Sequence, residues 1–219
     1  MAAKSATSGM AQRRAERRSA DRRGSEERWV AIMEAGSEVF RRLGYAQATL
    51  EDVAKEVGIH RATLYYYVAD KEELLIAILD EPIHRMTSDL RDIAALDVSP
   101  TERLRKAIIH HMHTLEDNYP ELFVFLAENL HLLTVGSDRD IQVNAHSYGD
   151  VMTALIEEGM DAGEFRADVD PRLMMLGVIG MLNWSHRWYT PDGKRTLPEI
   201  GEEFASVVLD GLTKPARTP

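Results

Sequence analysis

The stretch from Thr49 to Lys71 constrains the fold of this chain more than any other part of its sequence. Apolar residues recur there at steps of three and four, on one face of a short helix that Thr49 can cap. Gly58 follows, at a point where a sharp turn favours a positive φ angle. A second helical pattern begins near His60 and runs into three consecutive tyrosines, so the stretch predicts a helix-turn-helix.

The second helix of this motif has an outward face that suits nucleic acid. If Leu64 faces inward, a rotation of about 100° per residue turns its neighbours toward solvent. A guanidinium there can bind guanine through two hydrogen bonds, a methyl group can meet thymine, and hydroxyls can reach phosphates. An ordinary pair of packed helices is the alternative, but three adjacent tyrosines cannot all enter one core. The residues that this geometry predicts to contact DNA are Arg61, Ala62, Thr63, Tyr65 and Tyr66.

Residues 32–74 resemble the DNA-binding domain of the tetracycline-repressor-like (TetR) family of bacterial regulators. The matching residues are Phe40, Gly44, Tyr45, Thr49, Ala54, Gly58, Leu64, Tyr65 and Lys71. The chain departs from the family pattern at Val68, where phenylalanine is usual, and at Tyr67, where histidine is frequent. Thr49, Tyr67 and Lys71 complete the set of predicted DNA contacts. In the family the lysine touches a DNA phosphate, and a solvated lysine is the alternative.

Composition limits the classes of function that this chain can have. It contains no cysteine, which excludes disulfides, thiol catalysis and thiolate metal sites. No apolar run reaches about 18 residues and the N-terminus lacks an apolar core, so we expect neither a membrane span nor a signal peptide, and a cytoplasmic protein. The common catalytic and nucleotide-binding motifs are not found, so we predict no enzymatic activity and no cofactor. His110 and His113 share a helix face, but without a recognisable acidic ligand we predict no metal site.

The charge of the chain is unevenly distributed. Its net charge is −10, which by itself argues against binding to DNA phosphates. Residues 1–24, however, carry seven positive and two negative side chains, whereas residues 25–80 carry six positive and eleven negative ones. We expect residues 1–24 to be disordered when unbound and to assist the acidic DNA-binding domain as a minor-groove arm. A tail that only improves solubility is the alternative.

The rest of the pattern predicts an all-α chain of two domains. Residues 25–80 form the helix-turn-helix DNA-binding domain, with a first helix from Trp29 to Leu43, and residues 81–219 form a larger helical domain for effector binding and dimerisation. Asp70 can cap a connecting helix that Pro82 should bend or interrupt. The later helices are predicted over residues 101–118, 121–134, 138–162, 171–189 and 197–212.

The last two predicted helices have wide apolar surfaces, with Gly177 and Gly180 allowing a close approach. In TetR-like proteins these two helices form a four-helix bundle with their copies in a second subunit. The resemblance therefore implies a homodimer, whose two reading heads would bind a near-palindromic double-stranded DNA operator.

Aromatic and methionine side chains concentrate in the second domain, which suits it to an apolar small-molecule effector. Most of them are expected to be core. In the segment that begins at Asn183, Arg187, Trp188 and Tyr189 are followed by Pro191, Gly193 and a Leu-Pro-Glu-Ile helix start. This shorter stretch resembles TetR-family regulators of fatty-acid and steroid-ring catabolism, whose effectors are acyl-CoA thioesters. It implies that Arg187 pairs with CoA phosphates, although a shared dimer interface would explain the same residues. The predicted ligand-binding residues are His113, Phe123, Met152, Met181, Trp184, Arg187 and Trp188.

Together these patterns predict a ligand-responsive transcriptional repressor. It would bind its operator as a dimer and be released by a small hydrophobic effector, such as an acyl-CoA thioester. A helical scaffold or interaction protein that has lost DNA binding is the alternative, which the acidity of the predicted DNA-binding domain leaves open.

Overall fold

The structure of the chain, a computed structural model, describes residues 24–128 and 139–213, with side chains described over 24–127 and 147–213. Nearly all of the described backbone outside the connecting loops is helical, and its β-type pairing is an isolated bridge between Phe165 and Thr213. The predicted all-α fold is confirmed. The predicted basic arm lies outside the described residues, except for Gly24.

Residues 24–128 and 139–213 contain helices and no strand. Helix α1 covers residues 24–43 and a 3₁₀ turn covers Trp184–Arg187. The remaining helices are α2 (Leu50–Val57), α3 (Arg61–Leu64), α4 (Lys71–Ala94), α5 (Pro100–Asp117), α6 (Glu121–Glu128), α7 (Arg139–Asp161), α8 (Pro171–Asn183) and α9 (Leu197–Leu212). The predicted helix over 171–189 therefore ends earlier, and its last turn is 3₁₀.

The chain divides into two compact units, the first ending at Ile78 and the second beginning at Leu79. In the first unit, α1, α2, α3 and the start of α4 share one apolar core. Gly36 permits close packing of α1, because a Cβ at this position would lie 2.8 Å from Cδ2 of Leu74. The core side chains are Ile32, Val39, Phe40, Leu50, Val53, Leu64, Val68, Leu74 and Leu75.

The helix-turn-helix lies where the sequence predicts it, although α3 ends at Leu64 and the three tyrosines lie in the turn that follows. At its start the Asp52 amide donates to Oγ1 of Thr49 at 3.2 Å, and the Thr49 amide donates to Oδ2 of Asp52 at 3.1 Å. This reciprocal cap satisfies two amides that have no partner within the helix. Gly58 ends α2 with φ 74° and ψ 32°, a left-handed conformation that glycine adopts without steric cost.

Helix α4 belongs to both units. Asp70 caps it as predicted, because its carboxylate accepts from the Glu73 amide at 2.8 Å. The helix continues through Pro82 to Ala94, so the interruption considered at that proline does not occur. Proline removes one hydrogen bond from the ladder, and the turns on either side keep theirs.

In the second unit α5 is the central helix, packed against α9 and α7. Glycines lie where the backbone and neighbouring side chains approach each other most closely. A Cβ on Gly201 of α9 would lie 3.1 Å from Met112 of α5, and a Cβ on Gly159 of α7 would lie 2.1 Å from the ring of Phe165. The side chains along α5 that are buried are Leu104, Ala107, Ile108, His111, Met112, Thr114 and Leu115.

Several large apolar side chains of α8, the 3₁₀ turn and α9 remain exposed in the single chain. Leu173 is 67% exposed and Val207 is 66% exposed. A Cβ added at Gly177 or Gly180 would meet nothing within 4 Å, so the space beside these glycines is open. The other exposed apolar residues of this surface are Leu176, Trp184 and Trp188.

Candidate DNA-reading surface and ligand cavity

Arg61, the first residue of α3, has the side chain best suited to reading a base. Its guanidinium donates to the Tyr65 hydroxyl at 3.1 Å and forms an exposed ion pair with Glu51 at 3.7 Å. The hydrogen bond to Tyr65 and then the charge of Glu51 raise the pKa of Arg61 above its ordinary value. The guanidinium is therefore charged and oriented at the surface, which is the state that recognises guanine.

The side chains of α3 and of the turn after it show which neighbours of Arg61 face solvent. Ala62, Tyr65 and Tyr66 are exposed, Tyr66 to 84%, whereas Leu64 is fully buried as the helical pattern predicts. Thr63 is half-buried. The outward face consequently presents a methyl group and two phenol rings beside the guanidinium.

Tyr67 differs from the two tyrosines that precede it. Its ring stacks on Trp29 of α1 with centroids 5.9 Å apart, and its hydroxyl lies 3.3 Å from Oγ of Ser25. This half-buried side chain helps to fix α3 against α1. Its predicted contact with DNA stays a prediction.

Thr49 and Lys71 both support the segment that leads into α2. Thr49 is exposed and its hydroxyl donates to Oδ2 of Asp52 at 2.6 Å. Nζ of Lys71 lies 2.8 Å from the Tyr45 carbonyl, 3.3 Å from that of Ala46 and 3.4 Å from that of Ala48, and 4.5 Å from the centroid of the Tyr45 ring. The lysine thus binds the loop between α1 and α2, and its predicted contact with a DNA phosphate stays a prediction.

The second unit contains a cavity of about 380 Å³ bounded by α4, α5, α6, α7 and α8. This volume lies within the range that small-molecule sites usually have. Two exposed charged residues, Asp150 and Arg172, also line it. Its apolar walls are formed by Ile83, Met86, Leu115, Leu122, Phe125, Leu126, Met175, Leu176 and Ile179.

A polar chain of three residues interrupts these apolar walls. Nδ1 of His111 lies 3.0 Å from the Tyr148 hydroxyl, and Nε2 lies 2.9 Å from Oδ1 of Asn183. Burial lowers the pKa of His111 to about 4 and raises that of Tyr148. At neutral pH the imidazole is therefore uncharged, with one nitrogen donating and the other accepting.

Two family profiles match the chain on either side of this division into units. The one described as bacterial regulatory proteins of the tetR family matches residues 32–78. The one described as the tetracyclin repressor-like C-terminal domain matches residues 97–212, more than half of the chain. The chain belongs to the TetR family.

Similar TetR-family proteins match over most of their length. A TetR/AcrR-family transcriptional regulator from Thermobifida fusca is 30% identical, covers 84% of this chain and 98% of its own, and has a TM-score of 0.68. The ketosteroid transcriptional regulator KstR2 of Mycobacterium tuberculosis is 25% identical, with 86% and 96% covered and a TM-score of 0.74. FadR of Bacillus subtilis, in complex with stearoyl-CoA, is 23% identical, with 84% and 98% covered and a TM-score of 0.68, which shows a shared fold.

None of the seven predicted ligand residues lines the apolar cavity of this TetR-family protein. Phe123 and Met152 are buried elsewhere in the core, and Met181 is half-buried. His113 is exposed and lines a separate polar cavity of about 300 Å³. The guanidinium of Arg187 lies 5.7 Å from the ring of Trp184. Trp184, Arg187 and Trp188 are exposed on the surface formed by the 3₁₀ turn, and the role predicted for all seven remains untested.

The histidines of α5 have different surroundings in the TetR fold. His110 lies 3.7 Å from Oδ2 of Asp89, and burial lowers its pKa. Among the described residues there is no group of three or more His, Cys, Asp or Glu that could hold a metal ion. In the same part of the chain no helix has the length and apolar character needed to cross a membrane.

Sequence reasoning did not predict His111, Tyr148 and Asn183 as cavity residues. One signal was available for His111, which lies seven residues after Leu104 and four before Leu115, on the apolar stripe of α5. A polar residue on such a stripe needs a buried partner. The sequence contains no comparable signal for Tyr148, because its partner lies on another helix.

Proposed function

We propose that this chain is a transcriptional repressor that binds a near-palindromic DNA operator as a homodimer and releases it when an acyl-CoA thioester occupies the second unit. The observation that carries the proposal is the apolar cavity in the unit matched by the C-terminal family profile. Its helical walls suit an acyl chain, and its exposed Arg172 is a cation suited to the thioester head group. We further propose a cytoplasmic location, since that is where a bacterial regulator meets DNA.

A related protein supports this class of effector, because FadR of Bacillus subtilis holds stearoyl-CoA in its structure. The geometry favours Arg172 over Arg187 as the phosphate partner, because Arg172 lines the cavity and Arg187 lies beside Trp184 on the surface. Arginine suits this role since its planar fork can bind a phosphate through two hydrogen bonds.

Helix α4 offers a route by which the effector could act on DNA binding. Ile83, Met86 and Thr87 of this helix line the cavity, while Lys71 at its first residue binds the loop that precedes the helix-turn-helix. An effector that prefers one position of α4 would shift the population toward that position. A position in which the two reading heads of the dimer no longer match the operator would then release the DNA.

The dimer itself is supported by the exposed apolar surface of α8 and α9. Leu173 and Val207 would be covered by the same surface of a second copy, and the open space beside Gly177 and Gly180 would admit its helices. A dimer would also carry two basic arms. Their positive charge would offset the negative charge of the DNA-binding region where it meets DNA phosphates.

The first experiment measures DNA binding directly. A duplex selected from a random pool by the full-length protein is titrated by fluorescence anisotropy at several salt concentrations. We expect a pseudo-palindromic site, a steep loss of affinity with added salt, and release by decanoyl-CoA. Selection of no sequence would instead favour the scaffold alternative. Release by no acyl-CoA of any chain length would overturn the proposed effector class.

The second experiment compares two arginines. Arg172→Ala should weaken decanoyl-CoA binding about tenfold in calorimetric titrations, whereas Arg187→Ala serves as the matched variant outside the cavity. A loss confined to Arg187→Ala would support the assignment made from the sequence and would refute the one made from the cavity.

A further inference from the structure

A hydrogen-bonded chain of polar side chains lies in the wall of the apolar cavity, and the binding of a saturated acyl group does not require it. His111 and Tyr148 are almost completely buried, and both line the cavity together with Asn183. A saturated acyl chain would offer no hydrogen bond to either end of this polar chain. Unpaired polar groups that face an apolar ligand cost free energy, so such a wall disfavours a purely hydrocarbon ligand.

The direction of the hydrogen bonds follows from the neutral imidazole. Nε2–H of His111 donates to Oδ1 of Asn183, and Nδ1 accepts the proton of the Tyr148 hydroxyl. This leaves the NH₂ group of Asn183 as a donor and the lone pairs of the Tyr148 oxygen as acceptors. Reversing every bond of the chain exchanges the two ends but again leaves one donor and one acceptor.

The other hydroxyls of the cavity wall already have acceptors for their protons. Oγ1 of Thr87 donates to the Ile83 carbonyl at 3.2 Å, and Oγ1 of Thr153 donates to the Gly149 carbonyl at 2.8 Å. Each bond stays within the helix of the threonine. The polar chain around His111 is therefore distinct from these threonines, because it joins three helices, α5, α7 and α8, and offers both kinds of hydrogen bond.

We propose that the chain of Tyr148, His111 and Asn183 recognises an oxygen atom carried on the hydrophobic body of the effector, as a hydroxyl or a ketone. A hydroxyl would donate to one end of the chain and accept from the other, and a ketone would accept from the donor end. The proposal rests on the acyl-CoA effector proposed above and narrows it to oxygenated acyl groups. The cavity would therefore bind saturated fatty-acyl chains of the same length more weakly, since these form no hydrogen bond with the polar chain.

The test compares ligands that differ in one oxygen atom. The ligands are decanoyl-CoA and analogues with a ketone or a hydroxyl at successive carbons of the acyl group. Each is titrated calorimetrically into the full-length protein. We expect at least one oxygenated position to bind roughly 10- to 100-fold more tightly than decanoyl-CoA, the range expected for one or two buried hydrogen bonds. Equal or weaker binding at every position would overturn this inference while leaving the acyl-CoA proposal standing. Binding of no acyl-CoA at all would overturn both.

Variants show whether the selectivity comes from the polar chain. Tyr148→Phe should abolish the preference, so that the oxygenated analogue and decanoyl-CoA bind with similar affinity. Thr153→Val is the matched control, because it removes a hydroxyl from the same wall and should preserve the preference. Equal weakening of both ligands by Tyr148→Phe would mean that the chain only holds the helices together. Should that variant fail to fold, Asn183→Leu removes the other end of the chain and carries the same expectation.

Discussion

Replacing Lys71 by methionine separates a structural role of this side chain from a phosphate contact. Its bond of 2.8 Å to the Tyr45 carbonyl joins a charged donor to a backbone acceptor, which contributes about 1.5–3 kcal/mol. The two longer bonds are weaker, and the ammonium beside the Tyr45 ring adds about 0.5–1 kcal/mol. Methionine keeps the apolar stem, and rehydration of the carbonyls offsets part of the loss. We expect Lys71→Met to destabilise the loop between α1 and α2 by about 2 kcal/mol.

Hydrogen–deuterium exchange measures that loss where it occurs. The Ala48 amide donates to the Gly44 carbonyl at 3.0 Å, so a peptide covering residues 44–53 reports the order of this loop. A loss of about 2 kcal/mol would make its exchange roughly 30-fold faster in the absence of DNA. Lys55→Met, at an exposed position of α2, is the control and should leave exchange unchanged. Unchanged exchange in Lys71→Met together with weaker DNA binding would refute the structural reasoning and support the phosphate contact.

Four further predictions concern other parts of the molecule. Arg61→Ala should weaken operator binding about 10- to 100-fold and relax its sequence specificity, and an unchanged affinity in gel-shift titrations would contradict the base-reading role. Burial lowers the pKa of His111 to about 4 in the native state, so the unfolded chain takes up this proton first as the pH falls through about 6.5. The free energy of unfolding measured in urea should therefore fall by about 2 kcal/mol between pH 7 and pH 5. His111→Gln should remove this part of the pH dependence. Gly159→Ala should destabilise the fold by about 1–3 kcal/mol in thermal unfolding, because its Cβ would overlap the ring of Phe165, and Phe165→Leu should rescue it in part. Val207→Glu should shift the protein from dimer to monomer in sedimentation, and an unchanged dimer would place the interface elsewhere.

The helix-turn-helix could be predicted from the sequence because its signals are local. The cap at Thr49, the left-handed turn at Gly58 and the buried side chain of Leu64 each depend on residues a few positions apart. The same holds for the cap at Asp70 and for the later helices. Proline and glycine mark the ends of these helices, and their effect depends on residues within one turn.

The candidate ligand residues could not be predicted in the same way. An apolar helical pattern shows that Phe123 and Met152 are buried, but burial in a core and exposure to a cavity leave the same pattern in the sequence. Trp184 and Trp188 were predicted to contact the ligand because aromatic side chains concentrate in this domain, and they lie on the exposed surface of the second unit. Lys71 was interpreted from the family pattern, whereas its carbonyl partners come from a loop more than twenty residues earlier.

By itself, then, the sequence determined which of the described segments are helical and that the first unit is a helix-turn-helix, since hydrogen bonding, capping and periodicity act between residues close in the chain. Only the tertiary structure decided which residues surround the cavity and which way its polar chain runs. His111, Tyr148 and Asn183 lie on three helices and up to 72 positions apart, so their contact depends on how whole helices pack. Helix packing therefore places these three side chains together as one hydrogen-bonded chain in the cavity wall.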